Sequence, residues 1–366
     1  MVKHSIDKKL FIAIIALVIF GLMMVYSASN VVAMYKYNDA AYFLKRQLIF
    51  AIIGIAIMIL FMHIDLQKIY KATTIIYIIA LVLLILVLIP GIGKVRGGAR
   101  SWIGIGSFSL QPSEFMKLAI ILLIAKYLSK SYKDLKKTWE FVKMLGLIII
   151  NFGLIMLQPD FGTGLVLVVS CILLLFNVGA SIKYFVILGI LGTVGIIVLI
   201  ASAPYRMERI FAYLDPWSDP LGSGFQGIQS MFSIAPSGLF GLGYNNSMQK
   251  HFFLPEPQND FIFAIVCEEL GLIGGAVLLL VFFYIFIKII KISISVDNLY
   301  LKFLSLGIGL SLFTQVFINI GVVIGLLPVT GITLPIISYG GSSLVLTLMF
   351  LGLVLNISQY TEGAVE

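Results

Sequence analysis

The sequence predicts an all-α, polytopic membrane protein, and three observations carry that reading. Of its 366 residues, 60% are hydrophobic and only 11% are charged. The mean hydropathy is +1.08, a balance that soluble domains of this size do not show. Apolar runs of about 17 to 25 residues recur along the chain, each long enough as a helix to cross a hydrocarbon core of roughly 30 Å. They are continuous rather than alternating, which argues against the strands of a barrel.

About ten transmembrane helices are expected, centred near residues 18, 55, 80, 120, 150, 170, 192, 274, 312 and 343. The first starts after Lys8-Lys9 and extends to about Ser29, a length that suits a retained helix better than a cleaved signal peptide. Short basic loops set the orientation. Lys3, Lys8 and Lys9 precede span one, Lys68 and Lys71 follow span two, and Lys126, Lys130, Lys133, Lys136, Lys137 and Lys143 surround the loop after span four. Lys183 follows span six, and Lys288, Lys291 and Lys302 follow span eight. All lie on one face if both termini do, and the positive-inside rule makes that face cytoplasmic. The net charge of +8 therefore reflects topology, and no nucleic-acid partner is expected.

In this orientation a large extracytoplasmic loop, about residues 203–260, joins spans seven and eight. It is rich in Gly, Pro and Ser, yet it holds Trp217, Phe225, Met231, Phe232, Phe240, Phe252 and Phe253. Short amphipathic helices lying on the bilayer are the expected form. A second outer loop, residues 91–111, contains Lys94, Arg96 and Arg100 against the charge bias, which suggests an anionic ligand. No internal repeat divides the chain, so residues 1–366 read as one domain.

Carboxylates are scarce, and four of them, Glu256, Asp260, Glu268 and Glu269, crowd the entry to span eight. Acids at membrane depth are functional candidates by default. Asp260, directly before the apolar FIFAIV, reads either as a proton acceptor at the outer mouth or as a helix cap shared with Asn259. Glu268 and Glu269 lie about two turns deeper and read as ion-pair members, with Lys117 of span four a natural partner. Lys117 also stands three residues after Glu114, so that pair can close within its own helix.

Arg206 and Arg209 share a face if their segment is helical, and read as phosphate ligands or as interfacial arginines reaching lipid headgroups. The presence of Arg96 and Arg100 on the same side favours the first. Asp160, in QPDFGTG, reads as the cap of span six or as an anion- or cation-site residue. The run GLLPVTGITLPIISYGGSS, residues 325–343, breaks apolar sequence with proline and glycine, which is tolerated where backbone lines a cavity. Ser338, Ser342 and Ser343 then offer hydroxyls to it, or simply build a packing turn. Cys171 and Cys267 are too few for a metal or disulfide framework, and His4, His63 and His251 are too scattered for zinc. There is no Walker loop, HExxH motif or nucleophile triad.

Taken in order, YFLKRQ, RGGARSWIGIG with QPSEFMK, QPDFGTG, DPWSDPLGSGFQGIQS, LPEPQNDFIFAIVCEELG and GLLPVTGITLPIISYGGSS resemble the SEDS family (shape, elongation, division and sporulation; FtsW/RodA-type) over nearly the whole chain. DPWSDPLGSGFQ and LPEPQNDFIF look more like the division protein FtsW and its sporulation relative than the rod-shape branch. The resemblance implies a ten-helix peptidoglycan glycosyltransferase of the bacterial cytoplasmic membrane. It polymerises lipid II on the outer leaflet and works with a class B penicillin-binding transpeptidase. The family's essential aspartate maps onto Asp260, and other family positions map onto Arg100, Glu114, Lys117 and Asp160. Gln258-Asn259 stands where many members have His-Thr, and Ala235-Pro236-Ser237 where they have a glycine-rich stretch.

Residues and resemblance agree on an inverting displacement of undecaprenyl diphosphate, with Asp260 as general base. Arg96, Arg100, Arg206, Arg209 and Lys117 are the diphosphate candidates, and Glu114, Asp160, Glu256, Ser338 and Ser342 complete the substrate-facing set. A divalent cation such as Mg2+ is an optional aid at the diphosphate; no metal-ligand set is assigned. The alternatives are a lipid II flippase using the same charged cavity, and a non-catalytic scaffold for a transpeptidase.

Overall fold

The computed structural model describes residues 4–96, 98–105, 108–202 and 204–361. The chain opens with three long helices, α1 (Lys8–Tyr37), α2 (Tyr42–His63) and α3 (Leu66–Leu86). Asp7 starts α1, its carboxylate accepting from the Leu10 amide at 2.9 Å, and Asn38 ends it in the left-handed conformation. A small sheet follows: β1 (Gly93–Arg96), β2 (Ala99–Ile105) and β3 (Phe108–Leu110), antiparallel in that order. The all-helical expectation omits it, because strands this short and glycine-rich carry no alternating signal.

Next come α4 (Pro112–Ser131), α5 (Thr138–Met156), α6 (Phe161–Val178) and α7 (Ile182–Ala201). The long segment after α7 contains two short helices, α8 (Pro204–Leu214) and α9 (Phe225–Ile234). Then α10 (Ile262–Ser295), α11 (Leu299–Val323) and α12 (Gly341–Ile357) close the bundle. Among the described residues, eight helices are long and apolar enough to cross a membrane. The protein is thus helical, multi-pass and equipped with a large loop. The 20-residue α4 carries Glu114, Lys117, Lys126 and Lys130.

In hydrocarbon, helices associate through close packing and polar contacts rather than apolar burial. The α2–α12 pair shows the first: a Cβ on Gly352 would lie 2.6 Å from the Met58 carbonyl oxygen, and one on Gly54 2.7 Å from Leu348. Both glycines let the helix backbones meet. The described ends of the chain also meet. The His4 amide donates to the Gln359 carbonyl at 2.8 Å, the Asp7 amide to the Ser358 hydroxyl at 3.1 Å, and Asp7 pairs with Lys288 at 3.1 Å.

One helix is broken. At Gly271 of α10 the backbone turns to φ 69°, ψ −170°, and the loop after α9 pairs with the opening. The amides of Leu242 and Gly243 donate to the carbonyls of Glu268 and Glu269, both at 2.9 Å. In return, Leu272 and Ile273 donate to Gly238 and Leu239 at 3.0 and 3.1 Å. A side chain at Gly271 would meet the Leu239 carbonyl oxygen at 2.3 Å, so only glycine permits this approach.

Candidate active site

The site is assembled from the turn before α10, the irregular segment between α11 and α12, and the inner faces of α4 and α11. Asn259 closes the turn: its side-chain amide donates to Glu256 Oε2 at 2.6 Å and its backbone amide to the Glu256 carbonyl at 3.0 Å. Glu256 sits at φ 46°. It shapes the turn that delivers Asp260, while its side chain stays exposed. Asp260 follows, half-buried, and the capping position of α10 belongs to Phe261. This corrects the reading of Asn259 or Asp260 as the cap.

Two amides on α11 hold this turn against its surroundings. Asn319 Nδ2 donates to the Asp260 carbonyl and to the Ile332 carbonyl, each at 2.7 Å. One turn earlier, Gln315 Nε2 donates to the Thr333 carbonyl at 3.1 Å, and Gln315 Oε1 accepts from Lys117 Nζ at 2.7 Å. Lys117 pairs with Glu114 at 2.9 Å, both side chains buried, as their i,i+3 spacing suggests. Glu114 Oε2 also accepts from Ser343 Oγ at 3.4 Å. The Asp260 carbonyl and the Lys117 ammonium are therefore held by one face of α11, on anchor residues about 6 Å apart along the helix axis.

The irregular segment is tied in from several sides. The Tyr339 amide donates to the Gln258 carbonyl at 2.8 Å. Gln47 of α2 donates to the Ser338 carbonyl at 3.0 Å and accepts from the Gly340 amide at 3.3 Å. Ser338 closes a local turn, its hydroxyl accepting from Leu334 N at 2.8 Å, so its hydroxyl serves the packing reading. Ser342 is buried. Its hydroxyl, with Gln258 Oε1, Asn259 Oδ1, Asn319 Oδ1 and Thr330 Oγ1, has no hydrogen-bond partner among the described residues. Buried polar atoms are rarely left so, and those of Gln258, Asn259 and Asn319, in the Asp260 turn or its anchor, leave capacity there for a polar ligand.

Other candidates lie elsewhere. Asp160 caps α6 through Thr163 N at 3.2 Å and accepts from Gln111 and Ser113 at 2.8 and 3.0 Å. It latches the starts of α4 and α6 together. Arg100 Nη1 reaches the Leu88 carbonyl beyond α3 at 3.4 Å, pinning the small sheet. The side chains of Arg96, Arg206 and Arg209 lie outside the described residues.

Glu268 and Glu269 do not meet Lys117. Both carboxylates are buried and turned to the loop. Glu268 accepts from Ser247 Oγ, Met248 N and Gln249 N at 2.6, 2.8 and 3.3 Å. Glu269 accepts from Ser27 Oγ, Asn245 N, Ser247 N and Lys250 Nζ at 2.5, 2.9, 3.2 and 3.4 Å. Burial draws the Lys250 ammonium below the usual lysine range, opposed by Glu269. Gln315, Asn319, Gln47 and Lys250 escaped the sequence reading. The only signal was a pair of amides four residues apart inside the apolar run of α11.

A family profile described as cell cycle protein (FtsW/RodA/SpoVE) matches residues 8–363. Stage V sporulation protein E of Bacillus subtilis (strain 168) is 52% identical over 361 residues, covering 98% of this chain and 99% of that protein. A probable peptidoglycan glycosyltransferase FtsW of Geobacter metallireducens is 41% identical over 358 residues, covering 98% and 96%. A chain from a peptidoglycan synthase complex, solved for its coordination of polymerization and crosslinking, superposes with a TM-score of 0.81 at 31% identity, covering 97% of this chain and 98% of its own.

Proposed function

Because the chain belongs to the FtsW/RodA/SpoVE family of cell cycle proteins, the SEDS superfamily, we propose that it is a peptidoglycan glycosyltransferase that polymerises lipid II. The observation that carries the mechanism is the shared anchorage on α11 of the Asp260 backbone and the Lys117 ammonium. Asp260 takes the proton of the acceptor sugar hydroxyl. The freed oxygen bonds to the anomeric carbon of the donor from the face opposite the diphosphate, and undecaprenyl diphosphate leaves with the bonding pair of its C–O bond. One displacement inverts the centre, so one base suffices. Lys117, buried beside Glu114, stabilises the departing charge in a low-dielectric setting where such contacts count most.

Among the described residues no three His, Cys, Asp or Glu side chains gather as a metal site. Mg2+ is commonly held by one or two carboxylates together with substrate phosphates, an arrangement that needs no such cluster. The flippase and scaffold alternatives have no particular need of an acid at a turn whose backbone is held by both α11 and the irregular segment.

Ten spans, the eight long apolar helices plus α4 and α7, make an even number, in keeping with chain ends that bond to each other. With basic loops inside, both termini face the cytoplasm, and the small sheet, the Asp260 turn and the loop between spans seven and eight face outward. The chain then works as one domain. The higher identity to the sporulation protein than to FtsW, 52% against 41%, favours a sporulation-type over a division-type member.

For a class B transpeptidase partner, the structure offers an apolar groove of about 560 Å³ between α10 and α11, lined by Ala276, Leu280, Phe283, Phe313 and Phe317 among others. Its lining faces the lipid side, where a single apolar helix would pack. Ala276→Trp, which fills the groove from an exposed position, is expected to abolish co-purification of the partner without lowering the thermal stability of the chain.

The test of the function itself is direct. The purified complex, given labelled lipid II in detergent, is expected to yield long glycan strands that a muramidase digests. Recovery of unaltered lipid II, together with headgroup translocation across proteoliposomes, would sink the polymerase reading in favour of the flippase.

A further inference from the structure

Two uncharged side chains in the middle of α11 do something that an apolar helix does not require. Asn319 is 1% exposed and Gln315 4% exposed, and they stand four residues apart, on one face of the helix. Each uses its amide nitrogen on carbonyls of the irregular segment, Asn319 on Ile332 and Gln315 on Thr333. Each then reaches one further group. Asn319 donates to the Asp260 carbonyl, and Gln315 accepts from the Lys117 ammonium. The orientation of Asn319 follows from chemistry, because both of its partners are carbonyl oxygens and only the NH2 end can serve them.

Buried amides cost free energy unless satisfied, and here they are spent on irregular backbone rather than on helix pairing. We propose that Gln315 and Asn319 form an amide ladder of positioning residues, Asn319 fixing the base Asp260 and Gln315 fixing the cation Lys117, so that α11 sets the distance between the two halves of the active site. The inference rests on Asp260 acting as the base. The irregular segment is the shared rail: neighbouring carbonyls, Ile332 and Thr333, take one rung each. Displacing one rung therefore shifts one catalytic group against a reference that the other rung still holds.

The division of labour predicts a split in kinetics. Asn319→Leu keeps roughly the volume and removes both donors, while Asn319→Ser is smaller and leaves room for solvent at the two carbonyls. In the complex with its partner, both are expected to lower kcat for lipid II polymerisation about ten- to hundredfold, the cost of a misplaced reacting group, with KM unchanged. Gln315→Met frees Lys117 on one side while Glu114 still holds it; because the diphosphate that Lys117 meets is charged in the bound donor as well as on departure, the change is expected to raise KM severalfold with a smaller change in kcat. Thermal unfolding of each purified complex is measured in parallel.

Wild-type kcat in both Asn319 variants, or the same kcat and KM pattern at both positions, overturns the ladder. So does a fall in turnover that merely tracks a fall in melting temperature across the three variants, since that is what plain packing would give. An active Asp260→Asn protein, by contrast, removes the base assignment on which the ladder rests, so the two failures are told apart by one additional variant.

Discussion

Asp260→Asn is expected to lower glycan polymerisation by about 10²- to 10⁴-fold, the range in which a positioned general base contributes. The substitution is nearly isosteric and removes the basicity together with the charge. What places the residue is its backbone: the carbonyl is held by Asn319 at 2.7 Å, and the turn before it is closed by Glu256 and Asn259. None of these contacts involves the carboxylate, so the turn should survive the change. The variant should still bind its partner and melt at the temperature of the parent. Asp260→Glu serves as the control for placement, retaining a base but moving it by a methylene. It should recover part of the activity if proton acceptance is the role. Both are read by gel analysis of strands made from labelled lipid II. Full activity of Asp260→Asn would strip Asp260 of the base role while leaving the polymerase activity itself standing.

How much of this site the sequence announces depends on whether its contacts are local. Glu114 and Lys117 pair within one helix, and their i,i+3 spacing is visible in QPSEFMK. The cap role of Asp160 is equally local, three residues before the amide it accepts from. The break between α11 and α12 is written in its prolines and glycines. Asn319 and Gln315 were not legible in this way, because an amide in an apolar helix says nothing about which distant carbonyl it meets. Asn319 and Asp260 are 59 residues apart.

Glu268 and Glu269 show the same limit from the other side. Their need for partners at membrane depth is plain from the sequence, yet Lys117 was the wrong partner. Gly271 breaks α10 and lets the loop descend to them, and a single glycine inside ELGLIGG does not signal a break when TM helices use glycine freely for packing. The small sheet was missed for a related reason. Its three strands pair each with its neighbour in a stretch whose salient trait is positive charge.

Glu269→Leu is expected to destabilise the protein by about 3 to 5 kcal/mol, the cost of removing one partner of a buried charge pair. The carboxylate is fully buried and takes donors from Ser27 on α1, from Asn245 and Ser247 in the loop, and from Lys250. Removing it strands the Lys250 ammonium, itself 2% exposed, among groups that can only partly replace the charge: the carbonyl and side-chain oxygens of Asn245 at 2.6 and 2.7 Å.

Lys250→Met alone should cost less, because Glu269 keeps its hydroxyl and amide donors, whereas the double variant should recover part of the loss of Glu269→Leu. A double-mutant cycle on thermal unfolding measures that coupling. The loss should also be local in its first appearance. The loop joins the bundle through this carboxylate, its neighbour Glu268 and the backbone pairing at Gly271, so limited proteolysis should cut between residues 238 and 253 at temperatures where the parent resists. Additive single-variant effects, with no new cleavage in that segment, would mean that Glu269 and Lys250 are uncoupled and that the loop is held by its backbone pairing and its contacts with α1.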